Sequence, residues 1–190
     1  PLGLLLWNQF PETMAIHFGF TGQADGYASP AYAVFVLPVI MLAVHWLCIL
    51  ATSFDKGNKN RNQKLQTIVL WVIPLIGNLS CLGMYAFSLG WKFSAVAWTM
   101  IPMGLLFAVI GNYLPKCKQN YTIGIKIAWT LDSEENWNRT HRFAGWLWTF
   151  CGLAMIATAF FGGIWVFLVL SLLMVGLPVG YSYMLHRKGI

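Results

Sequence analysis

The sequence carries very little charge. Only 9% of its 190 residues are charged, whereas 58% are hydrophobic. Soluble domains contain roughly 25% charged residues, so a soluble fold of this composition could not cover its surface. Composition therefore excludes an ordinary water-soluble domain and indicates an integral membrane protein. The ten Trp residues agree with this interpretation, because Trp favours the lipid–water interface.

Motifs that carry chemistry are also missing. The chain has no H-E-x-x-H, G-x-S-x-G, C-x-x-C or G-x-x-x-x-G-K-[ST] sequence, and its apolar segments hold no acidic residue for a proton relay. These absences argue against an enzyme, an ATPase and a proton-coupled pump. We expect no catalytic residue, no cofactor and no metal. The net charge of +6 does not indicate nucleic acid binding, because the charges lie in short loops between apolar segments.

Long apolar segments make up most of the chain. A bilayer core requires about 20 apolar residues per helix. The sequence predicts an all-α bundle of transmembrane helices in one integral membrane domain, residues 1–190. Residues 1–8 are interpreted as the end of a truncated first helix, so that the complete protein would have six spans. The five complete spans lack Asp, Glu, Lys and Arg, and are residues 31–53, 67–89, 95–114, 143–162 and 164–185.

The basic residues predict the orientation. Eleven of the twelve Lys and Arg residues fall in the loop 54–66, in the segment 115–142 or in the C-terminal tail. If the spans alternate, all eleven lie on one side, which the positive-inside rule makes cytoplasmic. We therefore expect a cytoplasmic C-terminus and membrane lipid as a partner. Two connections are long enough for further function, the extracellular loop 9–30 and the cytoplasmic loop 115–142.

The extracellular loop contains a small group of polar side chains. Alternation from Met14 to Phe18 predicts an extended stretch, and the segment from Gly22 to Gly26, which contains Asp25-Gly26, predicts a turn. A metal site normally needs three or four ligands, and only His17, Asp25 and Glu12 are available nearby. We favour a histidine that hydrogen-bonds within a folded loop. The alternative, a metal-dependent or otherwise catalytic site on these three residues, stays open.

The cytoplasmic loop predicts a capped helix. Asp132 followed by Glu135 is a capping-box pattern, so we expect a helix that begins at Ser133 and continues into the span at 143. Two pairs at i,i+4 spacing then share helix faces, namely Trp137 with His141 and Glu135 with Arg139. Geometry alone favours a basic connection anchored by aromatic side chains at the inner interface.

Among the polar residues within the predicted spans, two are candidates for a functional role. An ionisable residue inside the bilayer is by default a functional candidate, which singles out His45. Asn78 is expected to hydrogen-bond between helices, and a neutral His45 can do the same. The other hypothesis for these residues is a path for a small molecule or lipid, formed with the kinks expected at the span prolines, which are Pro38, Pro74, Pro102 and Pro178.

Two patterns resemble a known family. The inner pattern is Gly111-Asn112, Gln119-Asn120, Ile123-Gly124-Ile125-Lys126, Trp129-Thr130-Leu131, Glu134, Trp137 and Arg142-Phe143. It closely resembles the signature of the SdpI family of bacterial membrane proteins. The outer pattern is Pro11, His17-Phe18, Gly22, Asp25 and Tyr27. It resembles the small domain of unknown function often found at the start of such proteins. The family pattern usually has Thr-Pro where this chain has Ile127-Ala128.

The resemblance implies a fold and a function. It implies six helices with both ends inside a bacterial cell membrane. It also implies a non-enzymatic immunity protein that resists a secreted toxic peptide and signals by drawing a cytoplasmic repressor to the membrane. The toxin would then be met near His17, Asp25 and Tyr27. Partner binding or signalling would involve the inner motif, in particular Asn112, Pro115, Lys116, Asn120, Gly124, Lys126, Trp129, Thr130, Glu134, Trp137 and Arg142. The transporter or permease with His45 and Asn78 remains the alternative.

Overall fold

A computed structural model describes residues 2–53, 63–121, 123–161 and 163–190. The predicted basic loop at 54–66 falls largely outside these residues, and so does Gly162 at the end of one predicted span. The described part is a bundle of helices with one two-stranded sheet, which confirms the predicted fold class. The elements are α1 (Leu2–Leu5), β1 (Met14–Phe18), β2 (Ala24–Ala28), α2 (Leu37–Ser53), α3 (Gln63–Ser88), α4 (Ala95–Tyr113), α5 (Ala128–Asp132), α6 (Glu134–Thr158) and α7 (Gly163–Arg187).

Four helices in the described part are long and apolar enough to cross a membrane. They comprise Tyr32–Ala51, Leu70–Ser88, Ala95–Lys116 and Gly163–Arg187, and they agree with four of the five predicted spans. The chain is thus a multi-pass membrane protein. A wide π-helical turn (Tyr32–Val36) leads into α2 just before Pro38. Proline has no amide hydrogen for the normal helical hydrogen bond, and such a turn is one way to accommodate that.

The fifth predicted span, 143–162, corresponds to the second half of α6. This helix is not among the four, because its first half is polar, with Glu134 and Glu135 in its first turn. It ends at Thr158 rather than at residue 162. The membrane crossing of α6 therefore stays a prediction.

Close backbone contact joins α4 to α6. A Cβ added to Gly104 would lie 2.5 Å from the carbonyl oxygen of Gly152, and one added to Gly111 would lie 2.7 Å from the amide nitrogen of Thr149. Later residues of α4 thus meet earlier residues of α6, so the two helices are antiparallel. Small residues permit such close helix packing, which is how membrane helices gain van der Waals contact. Larger side chains at these positions would force the helices apart.

A β-hairpin covers one end of the bundle. Strands β1 and β2 pair antiparallel, with register shifts on both sides of His17. Met14 is fully buried and packs in a cluster with Ala33, Met84 and Tyr85. The ring of Phe18 packs edge-on against Phe87 at 4.9 Å. We call this the hairpin end, where α2, α4 and α7 begin and α3 ends.

The turn predicted from Gly22 to Gly26 is confirmed only at its start, at Gly22. The extended stretch at Met14–Phe18 is confirmed, but Asp25-Gly26 lies within β2 rather than in a turn. The turn between the strands runs from Gly19 to Gly22. The amide of Gly22 donates to the carbonyl of Gly19 at 2.8 Å, and Gly22 has a φ of +77°. Pairing of β2 with the partly buried β1 outweighs the local turn preference of Asp-Gly, a common tertiary override of propensity.

The other end of the bundle carries the segment after α4. A short 3₁₀ turn, Leu114–Lys116, follows α4, and α5 precedes α6. We call this the motif end. Ser133 caps α6, accepting a hydrogen bond from the amide of Asn136 at 3.2 Å. The predicted cap at Asp132 was therefore wrong by one residue, because Asp132 completes α5.

Candidate functional site

Asn120 organises the turn after α4. Its side-chain amide donates to the carbonyls of Lys118 (2.8 Å) and Ile123 (2.9 Å). Its Oδ1 accepts from the amide of Ile123 at 2.7 Å. An Asn side chain that bonds nearby backbone groups in this way replaces a regular backbone turn. Asn120 is buried, so it fixes the loop from inside.

Thr130 and Gln119 hold the short helix α5. The hydroxyl of the fully buried Thr130 contacts the carbonyls of Ile125 (2.7 Å) and Ile127 (2.9 Å), and accepts from the amide of Ile127 at 3.1 Å. Gln119 donates to the carbonyls of Thr130 and Leu131, both at 2.8 Å. These carbonyls lie at the end of α5 and lack helical partners. The loop is therefore well held despite lacking the family's Thr-Pro.

Trp137 ties α6 back to the end of α4. Its indole N–H donates to the carbonyl of Cys117 at 2.6 Å, and the ring is fully buried. Cys117 and Trp137 form a small apolar cluster with Tyr113, Ile123 and Leu131. Burial raises the pKa of the Cys117 thiol, so it stays protonated. The thiol donates to the carbonyl of Ile123 at 3.4 Å.

His141 is bonded at both ring nitrogens. The backbone amide of Ile125 donates to Nε2 at 3.0 Å, which requires a lone pair there. Nδ1 lies 2.8 Å from the carbonyl of Trp137 and therefore carries the hydrogen. The imidazole stacks on the Trp137 ring at 4.0 Å and is fully buried. Burial lowers the pKa of His141 to about 4, so the ring is neutral at physiological pH.

Gly124 closes the loop over these two rings. A Cβ at this position would lie 2.6 Å from His141 Nε2 and 2.9 Å from Trp137 Cη2. Its φ of +126° is one that side-chain-bearing residues rarely adopt. Glycine is thus required for both space and conformation. Asn120, Gly124, Thr130 and Trp137 therefore belong to one connected unit. We call the described residues within 117–141 the inner cap.

A buried polar network joins the inner cap to α7. Asn136 donates to the carbonyls of Ser182 (3.0 Å) and Ile190 (3.1 Å). Its Oδ1 accepts from the hydroxyls of Ser182 (2.6 Å) and Thr140 (3.1 Å). All three side chains are fully buried. A buried amide with every hydrogen-bonding group satisfied fixes the two helices in one register.

Trp129 lies at the edge of the inner cap. Its ring packs against Tyr183 (4.9 Å) and stacks on His186 (5.9 Å), both near the end of α7. Trp129 thus connects α5 to the C-terminal helix rather than joining the buried unit around Trp137. A movement of α7 would therefore displace α5 through this contact.

The charged residues of the predicted motif lie on the surface. Lys116 stands over the Tyr113 ring at 4.9 Å, and Lys126 donates to the carbonyl of Tyr121 at 3.2 Å. Asn112, Pro115, Glu134 and Arg142 are exposed as well. Pro115 also limits the space beside Gly145, where an added Cβ would lie 2.6 Å from Pro115 Cγ. The predicted pair of Glu135 and Arg139 is confirmed as an exposed salt bridge.

The three predicted residues of the outer loop lie on the exposed face of the hairpin. His17 Nδ1 and Asp25 Oδ1 are 2.5 Å apart, and both side chains are exposed. Tyr27 is exposed, and its hydroxyl donates to the carbonyl of Ala24 at 3.3 Å. In the described part of the chain, no three His, Cys, Asp or Glu side chains form a group that could hold a metal ion. Glu12 accordingly does not complete a ligand set with the His17–Asp25 pair.

The two candidate residues of the spans, His45 and Asn78, line one cavity between α2 and α3. Its volume is about 340 Å³, and its wall includes His45, Asn78, Pro38 and Pro74. Asn78 donates to the carbonyl of Pro74 at 2.8 Å. This hydrogen bond lies within α3, whereas the sequence predicted one to another helix. Nδ1 of His45 is buried without a hydrogen-bond partner among the described residues.

Comparison with known proteins finds family matches for two segments of the chain. The model of the SdpI/YfhL protein family matches residues 116–182. This segment is thus similar to the SdpI/YfhL family. A second model, a domain of unknown function called DUF1648, matches residues 2–42. The resemblance found in the sequence is therefore confirmed. The SdpI/YfhL match contains the whole inner cap, and the DUF1648 match contains the whole hairpin.

One curated relative matches along almost the entire chain. It is "Immunity protein SdpI" of Bacillus subtilis (strain 168), 26% identical over 195 residues, with 97% of this chain and 89% of the relative covered. No solved structure matches this chain.

Several residues of the buried networks were not among the predicted site residues, including His141, Asn136 and Ser182. His141 was placed on the same helix face as Trp137, but its bond to Ile125 was not foreseen. The sequence feature that could have indicated Asn136 and Ser182 is the position of Ser182 on its helix. Ser182 falls on the buried stripe of α7, formed by Met174, Pro178 and Leu185, and a polar residue on such a stripe requires a partner.

Proposed function

We propose that this protein is a bacterial membrane immunity protein that gives resistance to a secreted toxic peptide and also signals by recruiting a cytoplasmic repressor. The observation that carries the proposal is the match to an immunity protein over 97% of the chain. That match includes both the hairpin and the inner cap. The role is a binding role, without catalytic residues or cofactors.

In this proposal the exposed face of the hairpin meets the toxin. It presents the His17–Asp25 pair and Tyr27 to solvent. The opposite face of the hairpin is packed on α2 and α3 through Met14 and Phe18. Because of this packing, binding of the toxin to the hairpin would act directly on the helices.

The inner cap serves as the signalling surface. Its buried unit is held by hydrogen bonds, whereas Lys116, Lys118, Lys126 and Arg142 are exposed around it. Positive charge at this end would attract an acidic protein surface and steer its association. Trp129 touches α7 directly, so a shift of the bundle would change how this surface is presented. The basic residues also favour a cytoplasmic location for the motif end and the C-terminus.

We further propose that α6 crosses the membrane from residue 143 onward, as the fifth span. Gly104 and Gly111 of α4 contact α6 along its apolar half. Trp148 of α6 also reaches α7, where its indole N–H donates to the carbonyl of Met174 at 2.8 Å. Two helices apolar enough to cross a membrane thus pack against the apolar half of α6, which supports a crossing by α6 as well.

Survival of toxin-treated cells tests the immunity function. The full-length protein is expressed in a Bacillus strain that lacks its own immunity genes, and purified toxic peptide is added. We expect protection by the wild-type protein. The Trp129→Ala, Trp137→Ala double variant should insert normally but lose protection or the response of a repressor-controlled reporter. Normal survival and a normal reporter response from that variant would contradict a role for the inner cap.

The cavity between α2 and α3 supports a second candidate function, transport or handling of a small molecule or lipid. It brings together His45 and Asn78, which the sequence separates by 33 positions, and a buried imidazole nitrogen faces no partner among the described residues. Uptake or efflux by proteoliposomes that is lost in His45→Ala would favour this function. The absence of such transport across a broad substrate panel would exclude it.

A further inference from the structure

The tip of the hairpin carries an exposed aromatic side chain. Phe20 lies two residues before Gly22, in the turn between β1 and β2, and is 67% exposed. In a water-facing turn this would be an unfavourable place for a phenylalanine. In the neighbouring strands, the exposed face carries His17, Asp25 and Tyr27. Phe20 is therefore a distinct feature of the tip.

Phe20 stacks on the first turn of α7. Its ring lies 6.0 Å from the Trp165 ring, with an angle of 10° between the planes. The tip also touches the start of α4, because a Cβ at Gly22 would lie 3.1 Å from Val96 Cγ2. The hairpin thus lies across the ends of these helices instead of projecting away from them.

Trp165 belongs to the lipid-facing side of α7. The exposed apolar residues Trp165, Val169 and Leu172 follow one another at helical spacing. The opposite side of the helix is buried against the bundle at Met174 and Pro178. Since α7 is long and apolar enough to cross a membrane, its exposed stripe must contact lipid, and Trp165 is the member of that stripe nearest the hairpin end.

We infer that the hairpin tip is inserted into the membrane interface, with Phe20 packed beside Trp165 at the boundary between headgroups and acyl chains. A ring stacked on the outermost residue of a lipid-facing stripe shares the depth of that residue. Phe160 and Phe161, 78% and 80% exposed, follow α6 at the same end and extend the aromatic surface. Trp is favoured at this depth because its ring is amphipathic, and the apolar ring of Phe20 is removed from water beside it, so the partner of the tip is the lipid interface itself.

Spin-label accessibility in proteoliposomes tests this inference. A nitroxide is attached at Phe20→Cys or, as the matched control, at Tyr27→Cys. Tyr27 is also an exposed aromatic residue of the hairpin (60%) but lies on the face that carries the His17–Asp25 pair. The background protein carries Cys117→Ser and Ala at the other three cysteines. Collision rates are measured with oxygen, which concentrates in lipid, and with a water-soluble nickel complex.

We expect an oxygen-to-nickel ratio several times higher at position 20 than at position 27. Equal ratios at the two positions would place the tip in water and overturn the inference. Low accessibility of position 20 to both reagents would overturn it too, because the tip would then be covered by protein. If Phe20→Cys does not accumulate, Thr21→Cys is measured with the same expectation. The measurement requires no toxin, so its outcome is independent of the immunity function.

Discussion

The backbone amide of Ile125 donates to Nε2 of His141 at 3.0 Å, while Nδ1 of the same ring bonds the carbonyl of Trp137. A proton on Nε2 would face that amide hydrogen, so the folded inner cap requires the neutral imidazole. This relationship predicts how stability depends on pH. Burial lowers the pKa of His141 from 6.5 to about 4.

We expect the free energy of unfolding to fall as the pH drops from about 6.5 to about 4. In this window the unfolded chain binds the proton and the folded chain does not; below it both states are protonated, and the loss is complete. A shift of this size corresponds to roughly 3 kcal/mol. Unfolding in detergent micelles is measured across this pH range. The difference between wild type and His141→Gln, which removes the titrating group, should shrink on acidification; a constant difference would refute the neutral-ring account.

Gly124→Ala should destabilise the inner cap. The new methyl group would lie within 3 Å of both His141 and Trp137, at a φ of +126°. Strain at such a backbone position costs about 1–3 kcal/mol, and the steric overlap adds to it. The matched control is Gly176→Ala on α7, where a Cβ would meet nothing within 4 Å among the described residues. Thermal unfolding should show a clear loss for the first variant and none for the second; equal effects would contradict the packing described.

Trp137→Phe should destabilise the protein even though an aromatic ring is kept. The substitution removes the indole N–H that bonds the Cys117 carbonyl, and an unsatisfied buried acceptor costs about 1–3 kcal/mol. Trp146→Phe is the matched control, because Trp146 lies on the same helix but is 65% exposed. Denaturant unfolding monitored by circular dichroism should separate the two variants. A similar small effect for both would show that the hydrogen bond contributes little.

A double-mutant cycle on Asn136→Ala and Ser182→Ala should reveal coupling between α6 and α7. The two side chains are bonded at 2.6 Å and share further buried contacts. Residues in one network typically show interaction energies of about 0.5–3 kcal/mol. We therefore expect the double variant to be less destabilised than the sum of the single variants. Additive effects would mean that the network does not couple the helices.

The sequence was a good guide to the helices and a poor guide to contacts between distant segments. The spans α4 and α7 began and ended within two residues of their predicted limits, because bilayer thickness sets the length of an apolar run. The i,i+4 pairing of Trp137 with His141 was also predicted from the sequence. By contrast, β2 was missed because its Asp25-Gly26 has the composition of a turn, and only pairing with β1 makes it a strand.

The inner cap was predicted as a motif but not as a structure. Asn120, Gly124 and Trp137 were singled out by resemblance, yet the reason for each lies in a partner elsewhere in the chain. The carbonyl that Trp137 bonds is 20 residues away, and Asn136 reaches residues 46 and 54 positions away. Such pairings follow from how helices pack, which local periodicity does not encode.

Survival of cells that express Asn120→Ala tests the central claim most directly. Asn120 organises the inner cap from within through three backbone hydrogen bonds, whereas Asn138 is an exposed asparagine of α6. Both alanine variants are expressed at equal abundance with the wild-type protein in a Bacillus strain that lacks immunity genes, and purified toxic peptide is added. The account predicts that wild type and Asn138→Ala protect and that Asn120→Ala does not. Equal protection by Asn120→Ala, or no protection by the inserted wild-type protein, would contradict it.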